Sequence, residues 1–449
     1  ASKESLYLLC AQIGELYTIL SNFKSAKSFL NKALKYTENN NDKWAVNLDL
    51  ARIYKEQSKY KEAMTILDMI QEHIKSSHPL YGSILFLKCT IQRVTGQHQE
   101  ALTNIKKAEK ILLQNKDYEH LAKVLNAVGA IYHTFSDIEN ALKLYQKAFK
   151  YCEKTGDLLT LMKCSGNMAT IFHIQGDLNN AMKHFNIALD LSKKISHLQS
   201  YVTTSNNLGI LYMDKGLFCK AKALFEEAAR ISKDTSTLFM WSASLSNLAD
   251  IEYYMGDYKS AAKYAMHALN LSKEIEDVEG EAINNISLAK ISIEQKQTLD
   301  AKLHLDAAYK IYSELNSEDG WSDYYYYLAQ YFLELKEFDK ALEQAQRSRD
   351  LAIKCQNSRK QAKTLRLVGI IHQHQEDFNS SIRYFDASIE LLEKEEASYE
   401  LTKSLYLRAL SYNKLGNREA ANENLLAAVV NINKIDKCKW TKKIEHGIN

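Results

Sequence analysis

Residues 208–228 read LGILYMDKGLFCKAKALFEEA. A small residue, Gly209, is followed by Tyr212 three places on, by a glycine at seven (Gly216), and by Ala221, Phe225 and Ala228 at twelve, sixteen and nineteen. Apolar residues at helical spacing on both sides of Gly216 predict two helices joined by a tight turn. The glycine supplies the left-handed conformation that ends the first helix. Small residues mark close approach of two helix backbones, and the aromatics fill the holes beside them.

The same spacing runs along the chain. Steps of forty from Gly129 land on Ala169, Gly209, Ala249, Ala289, Ala329, Gly369 and Ala409, and the series continues backward through Cys89, Ala51 and Gly14. Twelve past these anchors stand Ala26, Ala63, Ala101, Ala141, Ala181, Ala221, Ala261, Ala301, Ala341, Ser381 and Ala421. Large residues recur sixteen past them, among them Tyr145, Phe185, Phe225 and Phe385. One such pair cannot bury its own apolar stripe, so neighbours must stack into a continuous spine. The composition agrees, with 1 proline and 15 glycines in 449 residues, which leaves the chain free to be helical almost throughout.

The pattern resembles the tetratricopeptide repeat family, whose units run L-G-x-x-Y, then A, F and A. Residues 208–228 match it fully, and Val128-Gly129 with Tyr132, Ala141, Tyr145 and Ala148 nearly so. The period here is forty rather than about 34, and the closing proline is missing. Forty-residue units are similar to those of spindle-orientation adaptors, bacterial maltose-regulon activators and sensor arms of large signalling NTPases. Ser398 to Val429 resembles the final repeat of such arms. The fold expected is therefore all-α: a right-handed superhelical solenoid of about eleven antiparallel helix pairs over residues 1–435, with 436–449 as a capping or tail segment in which Trp440 covers the end of the spine. Lys296, Lys336 and Glu376 replace the turn glycine, and Ser292 and His372 replace the tyrosine, so packing is expected to be less regular there. The first unit already fits the pattern, and the start is read as a cut within a longer chain.

Net charge is +3, from 58 basic and 55 acidic side chains, which argues against a dedicated nucleic-acid binder. No apolar run reaches the roughly 18 residues a membrane helix needs. The 7 cysteines form no CxxC, which favours a reducing, cytoplasmic setting. No phosphate loop, nucleophile elbow, zinc helix or calcium loop is present. His133 and His173 hold equivalent positions in adjacent units, too far apart to share a metal. The expectation is a non-catalytic chain with no cofactor and no metal, binding a protein or peptide partner.

The resemblance implies that first helices line a concave face, with ligand contacts six, three and two residues before the anchor and one, four and five after it. Two before stand Asn167, Asn207 and Asn247; three before, Asn126 and Asn206; six before, Lys123 and Lys163. An amide both donates and accepts, so a ladder of asparagines suits an extended peptide backbone. The same asparagines could equally bond the neighbouring helix and hold the stack. Asp214 and Asp250 add acidity along this stripe. Tyr324 to Tyr327 point all round a helix; by register Tyr326 and Tyr327, like Tyr253 and Tyr254, face the concave side. Lys363, Arg366 and Lys403 form a second basic stretch, suited to an acidic partner segment or simply solvated. An alternative reading is the sensor arm of a larger signalling ATPase or transcription regulator, including a peptide-pheromone-type receptor, fused to an upstream effector domain.

Overall fold

A computed structural model describes residues 2–19, 22–135, 137–315, 317–394 and 398–448. Asn449, the last residue of the expected tail, lies outside them. All regular structure among the described residues is helical. The helices are α1 (Lys3–Ile19), α2 (Phe23–Tyr36), α3 (Asn40–Glu56), α4 (Tyr60–His73), α5 (Tyr81–Val94), α6 (His98–Gln114), α7 (Tyr118–Thr134), α8 (Ile138–Thr155), α9 (Leu158–Ile174), α10 (Leu178–Lys194), α11 (Leu198–Asp214) and α12 (Phe218–Asp234). They continue as α13 (Leu238–Met255), α14 (Tyr258–Glu274), α15 (Val278–Glu294), α16 (Thr298–Glu314), α17 (Glu318–Glu334), α18 (Phe338–Lys354), α19 (Ser358–His374), α20 (Phe378–Lys394), α21 (Ser398–Lys414), α22 (Arg418–Ile432) and α23 (Lys439–Ile448). The odd helices from α1 to α21 pack on the even helices after them, α9 through Ala169 in one buried cluster with Ala181 and Phe185 of α10, giving eleven helix pairs followed by one short helix among the described residues. It forms two compact units, residues 1–168 and 169–449.

The small and large columns of the repeat meet each other. A Cβ added to Gly129 would stand 2.7 Å from the ring of Tyr145, sixteen residues on. Ala141, Tyr145 and Ala148 are fully buried around that contact. Gly209 stands in the same relation to Phe225, and Gly369 to Phe385. Helix starts are capped by the residue after the turn: Asp177 accepts from the backbone N–H of Asn180 (3.1 Å), and Asp257 from that of Ser260 (3.0 Å). These contacts satisfy N–H groups that have no partner within the helix.

The turns of the eighth to tenth repeats keep the geometry of the others. Lys296, Lys336 and Glu376 adopt φ of +59°, +59° and +62°, the left-handed conformation that Gly216 and Gly256 adopt elsewhere. The following N–H closes the turn in the same way, Glu337 onto Phe332 O and Asp377 onto His372 O, both at 2.9 Å. The irregularity expected there is thus taken up as backbone strain and not as altered turn geometry. An L-residue in this conformation costs about 1–2 kcal/mol, while a glycine loses about 0.5–1 kcal/mol in unfolded-chain entropy. Lys336→Gly and Glu376→Gly should therefore each stabilise the protein, by about 0.5–1 kcal/mol in urea unfolding. Lys336→Ala, which keeps the strain, should give no gain.

Within the C-terminal unit the last elements meet the first. Arg359 at the start of α19 pairs with Asp214 at the end of α11 and donates to the backbone oxygen of His173 (3.4 Å). The Asp436 N–H donates to Gly216 O (2.9 Å), and the Asp436 carboxylate accepts from the Cys219 N–H (2.8 Å), capping the start of α12. Ile435 packs on Gly216, and Lys439 pairs with Glu294. Trp440 lies edge-on to Tyr406 (6.3 Å) and carries the Lys403 ammonium over its ring (5.4 Å). The tail thus crosses the inner side of the unit, touching first helices as well as the final pair.

Candidate binding face of the C-terminal unit

First helices line the inner side of this unit, as the repeat register dictates. Two features lie along it. The first is a groove of about 370 Å³ between α11, α13 and α15. Asn207 and Ile210 contribute from α11, Phe239, Ala243 and Asn247 from α13, and Ile283 from α15. Phe239 is 62% exposed and Ile283 46%, an apolar surface beside side-chain amides.

The asparagines divide by position. Asn206 is buried; its Nδ2 donates to Ser244 Oγ (3.0 Å) and its Oδ1 accepts from Asn247 Nδ2 (3.4 Å). In the N-terminal unit Asn126 Oδ1 accepts from Asn167 Nδ2 (3.1 Å) in the same way, forty-one residues on. These bonds join successive first helices. Asn207 is half-buried in the groove and has no side-chain hydrogen bond to any described residue. Lys123 in the N-terminal unit pairs with Glu119 (2.5 Å) and reaches Asp157 (3.7 Å). Lys163 is exposed and pairs with no carboxylate among the described residues. His173 Nε2 lies 2.9 Å from the Asp214 carboxylate, again one helix across. His173 and Arg359 hold Asp214 ionised against its burial, below the ordinary carboxyl value. No group of three or more His, Cys, Asp or Glu among the described residues is placed to hold a metal ion.

The second feature is a chamber of about 270 Å³, lined by first helices α13 to α21 and by the tail. Asp250 stands beside it, paired with Lys290, a lysine only 4% exposed. That ammonium sits 4.7 Å above the Tyr253 ring. Tyr254 stacks on Phe218 (5.7 Å) and meets Tyr399 edge-on (5.3 Å); Tyr326 and Tyr327 meet edge-on at 5.0 Å. Burial raises the phenols of Tyr253, Tyr254, Tyr326 and Tyr327 above their ordinary value, so all four remain neutral donors.

Lys363, Arg366 and Lys403, a linear stripe in the sequence, converge here. Arg366 is 3% exposed; it pairs with the Glu400 carboxylate and donates to the Glu400 backbone oxygen (3.2 Å). Lys403 stands 3.4 Å from the same carboxylate. Burial, with Arg366 and Lys363 alongside, pulls the Lys403 ammonium down to about 7, against Glu400. Lys363 is half-buried beside Tyr254 and Glu400 and forms no ion pair with a described carboxylate. Glu400, Glu294 and Lys290 do not stand out in the sequence. One signal was there for Lys290, which follows Asp250 by one repeat length.

Fold and site together define a helical-repeat solenoid that presents a grooved inner face. The chain belongs to the family of the MalT-like TPR region, whose model matches residues 154–432, more than half of its length. The tetratricopeptide repeat model matches residues 7–40, and that of the soluble NSF attachment protein residues 86–204. Among solved structures the chain is similar to the apo form of RapI, at 13% identity and a TM-score of 0.60, over 78% of this chain and 98% of that one. It is also similar to aspartyl phosphate phosphatase F from Bacillus subtilis, at 17% identity and a TM-score of 0.51, over 78% of this chain and 94% of that one. At such identities the likeness is one of fold. No curated protein matches the chain in sequence. No described helix is long and apolar enough to cross a membrane.

Proposed function

We propose that this chain is a non-catalytic binding module that takes an extended protein or peptide segment along the inner face of its C-terminal unit. Asn207 carries the reading: a half-buried amide with both hydrogen-bonding functions unused, beside the exposed Phe239 and Ile283. An extended backbone offers the matching donor and acceptor, and its side chains would cover the apolar pair. Asn206 and Asn247 serve the same site from behind, by fixing α11 against α13. The membership in the MalT-like family favours a second reading, in which the module is the regulatory arm of a larger signalling ATPase or transcription regulator. That reading requires a nucleotide- or DNA-binding domain in the full-length reading frame.

Peptides selected from a displayed random library against the whole chain provide the test. Their affinity should fall at least about tenfold when Asn207 and Phe239 are both changed to alanine, the loss of about 1.4 kcal/mol that one or two hydrogen bonds and an apolar contact represent. The melting temperature of that variant should match the parent. Peptides that bind the variant as tightly as the parent would place recognition elsewhere.

A further inference from the structure

The chamber between α13, α17, α19 and α21 has a charge imbalance that the groove does not explain. Its lining holds five basic residues against three acidic ones. Lys439 is paired with Glu294, and Arg366 and Lys403 share Glu400. Lys363 pairs with no carboxylate among the described residues. The interior therefore holds three basic side chains around one carboxylate, and an entering anion would hold Lys403 protonated beside Arg366 and Lys363. Uncompensated charge in a secluded, partly dehydrated space is costly unless a counter-charge enters.

We propose that this chamber is a binding site for a phosphate monoester, the dianion that brings its charge to balance. The donors favour phosphate over carboxylate. A planar carboxylate is best met by the paired N–H groups of an arginine, and those of Arg366 are already committed to Glu400. What remains are separate, point-like donors on different helices: the ammonium groups of Lys363 and Lys403, and the phenols of Tyr254, Tyr326 and Tyr327. A tetrahedral oxyanion with about two negative charges accepts from several directions at once. The tyrosine rings and Trp440 leave room for an apolar or aromatic substituent on the ester. The same phosphate could arrive on a small metabolite or on a phosphorylated side chain, and the inference concerns the chemistry the two share.

Calorimetric titration of phenyl phosphate into the whole chain, with succinate and benzoate as comparisons, tests the assignment. Phenyl phosphate should bind and raise the melting temperature, and the two carboxylates should bind at least about tenfold more weakly. Lys363→Met should lose at least about tenfold in phosphate affinity. Without ligand it should melt no lower than the parent, because it removes an unpaired cation. The Asn207→Ala, Phe239→Ala variant lies outside the chamber and should retain phosphate binding, which separates this inference from the groove reading. Glycerol phosphate and a short phosphoserine peptide then distinguish a free metabolite from a modified side chain. No binding at millimolar phenyl phosphate, equal binding by Lys363→Met, or equal binding of succinate would each overturn the proposal.

Discussion

Replacing Glu400 with alanine lowers the stability of the C-terminal unit by about 3–5 kcal/mol, the cost of leaving buried charge without its partner. Glu400 is 7% exposed and is the carboxylate that both Arg366 and Lys403 face. Its removal strands the Arg366 guanidinium, itself held between α19 and α21, and deprives Lys403 and Lys363 of their nearest negative charge. The carboxyl is held far below its ordinary value by Arg366, Lys403 and Lys363, in that order, against burial. A depressed carboxyl stabilises the fold above its unfolded pKa and loses that effect as pH falls through the folded one. The alanine variant should thus be most damaged at neutral pH and should converge on the parent in strong acid. Adding Arg366→Met to Glu400→Ala should restore much of the loss, since exchanging a buried pair for apolar groups is often close to neutral. Urea unfolding of the two single variants and the double variant measures this as a coupling energy. A loss below about 1 kcal/mol in Glu400→Ala would mean that water replaces the carboxylate and that the chamber is fully solvated.

The contacts that sequence periodicity reveals are those between fixed places in the repeat. Gly129 with Tyr145, and Gly209 with Phe225, lie sixteen apart because the two helices of a pair are one after the other in the chain. Polar bonds between stacked first helices are almost as regular: Asn126 to Asn167, Asn206 to Asn247, His173 to Asp214 and Asp250 to Lys290 are each separated by forty or forty-one residues. The asparagine column was therefore visible, and so was the stripe of Lys363, Arg366 and Lys403. Which asparagine is left unbonded was not, because it depends on whether the residue three before the preceding anchor carries an acceptor, as Asn126 does for Asn167 and Asn206 for Asn247. The turns at Lys336 and Glu376 look broken by composition, yet neighbouring helices over-determine them and hold the left-handed conformation at a local cost.

The chamber was out of reach for a different reason. Its walls are first-helix residues in register, but its closure comes from contacts between distant repeats. Arg359 reaches Asp214 across 145 residues and Cys219 reaches Asp436 across 217. A repeat pattern specifies each unit against its neighbour and carries no term for contacts around a whole turn of the stack. The tail from Asp436 onward has no repeat partner at all, and its landing place is set by Gly216, where Ile435 fits against a bare backbone.

Ending the chain after Ile432 should make that closure measurable. The segment buries Cys438 and Ile444 almost completely and half-buries Ile435 and Trp440. Two fully buried side chains and parts of two more are worth on the order of 5 kcal/mol by transfer. The Asp436 cap on α12 adds about 1 kcal/mol. The half-exposed Lys439–Glu294 pair adds about 0–1 kcal/mol. Ordering the segment offsets a good part of this, so the net loss on truncation should be about 2–4 kcal/mol, with Asp436→Ala alone costing about 1. The more telling change is in cooperativity. With the tail, α11–α12 and α21–α22 share contacts and open together; without it, each repeat is coupled chiefly to its neighbours. The truncated chain should unfold over a broader range of urea, and amide exchange in α12 should separate from that in α21, whereas in the parent the two should be protected alike. A truncated chain that unfolds at the same midpoint and with the same steepness would show that the tail rests on the unit without holding it closed.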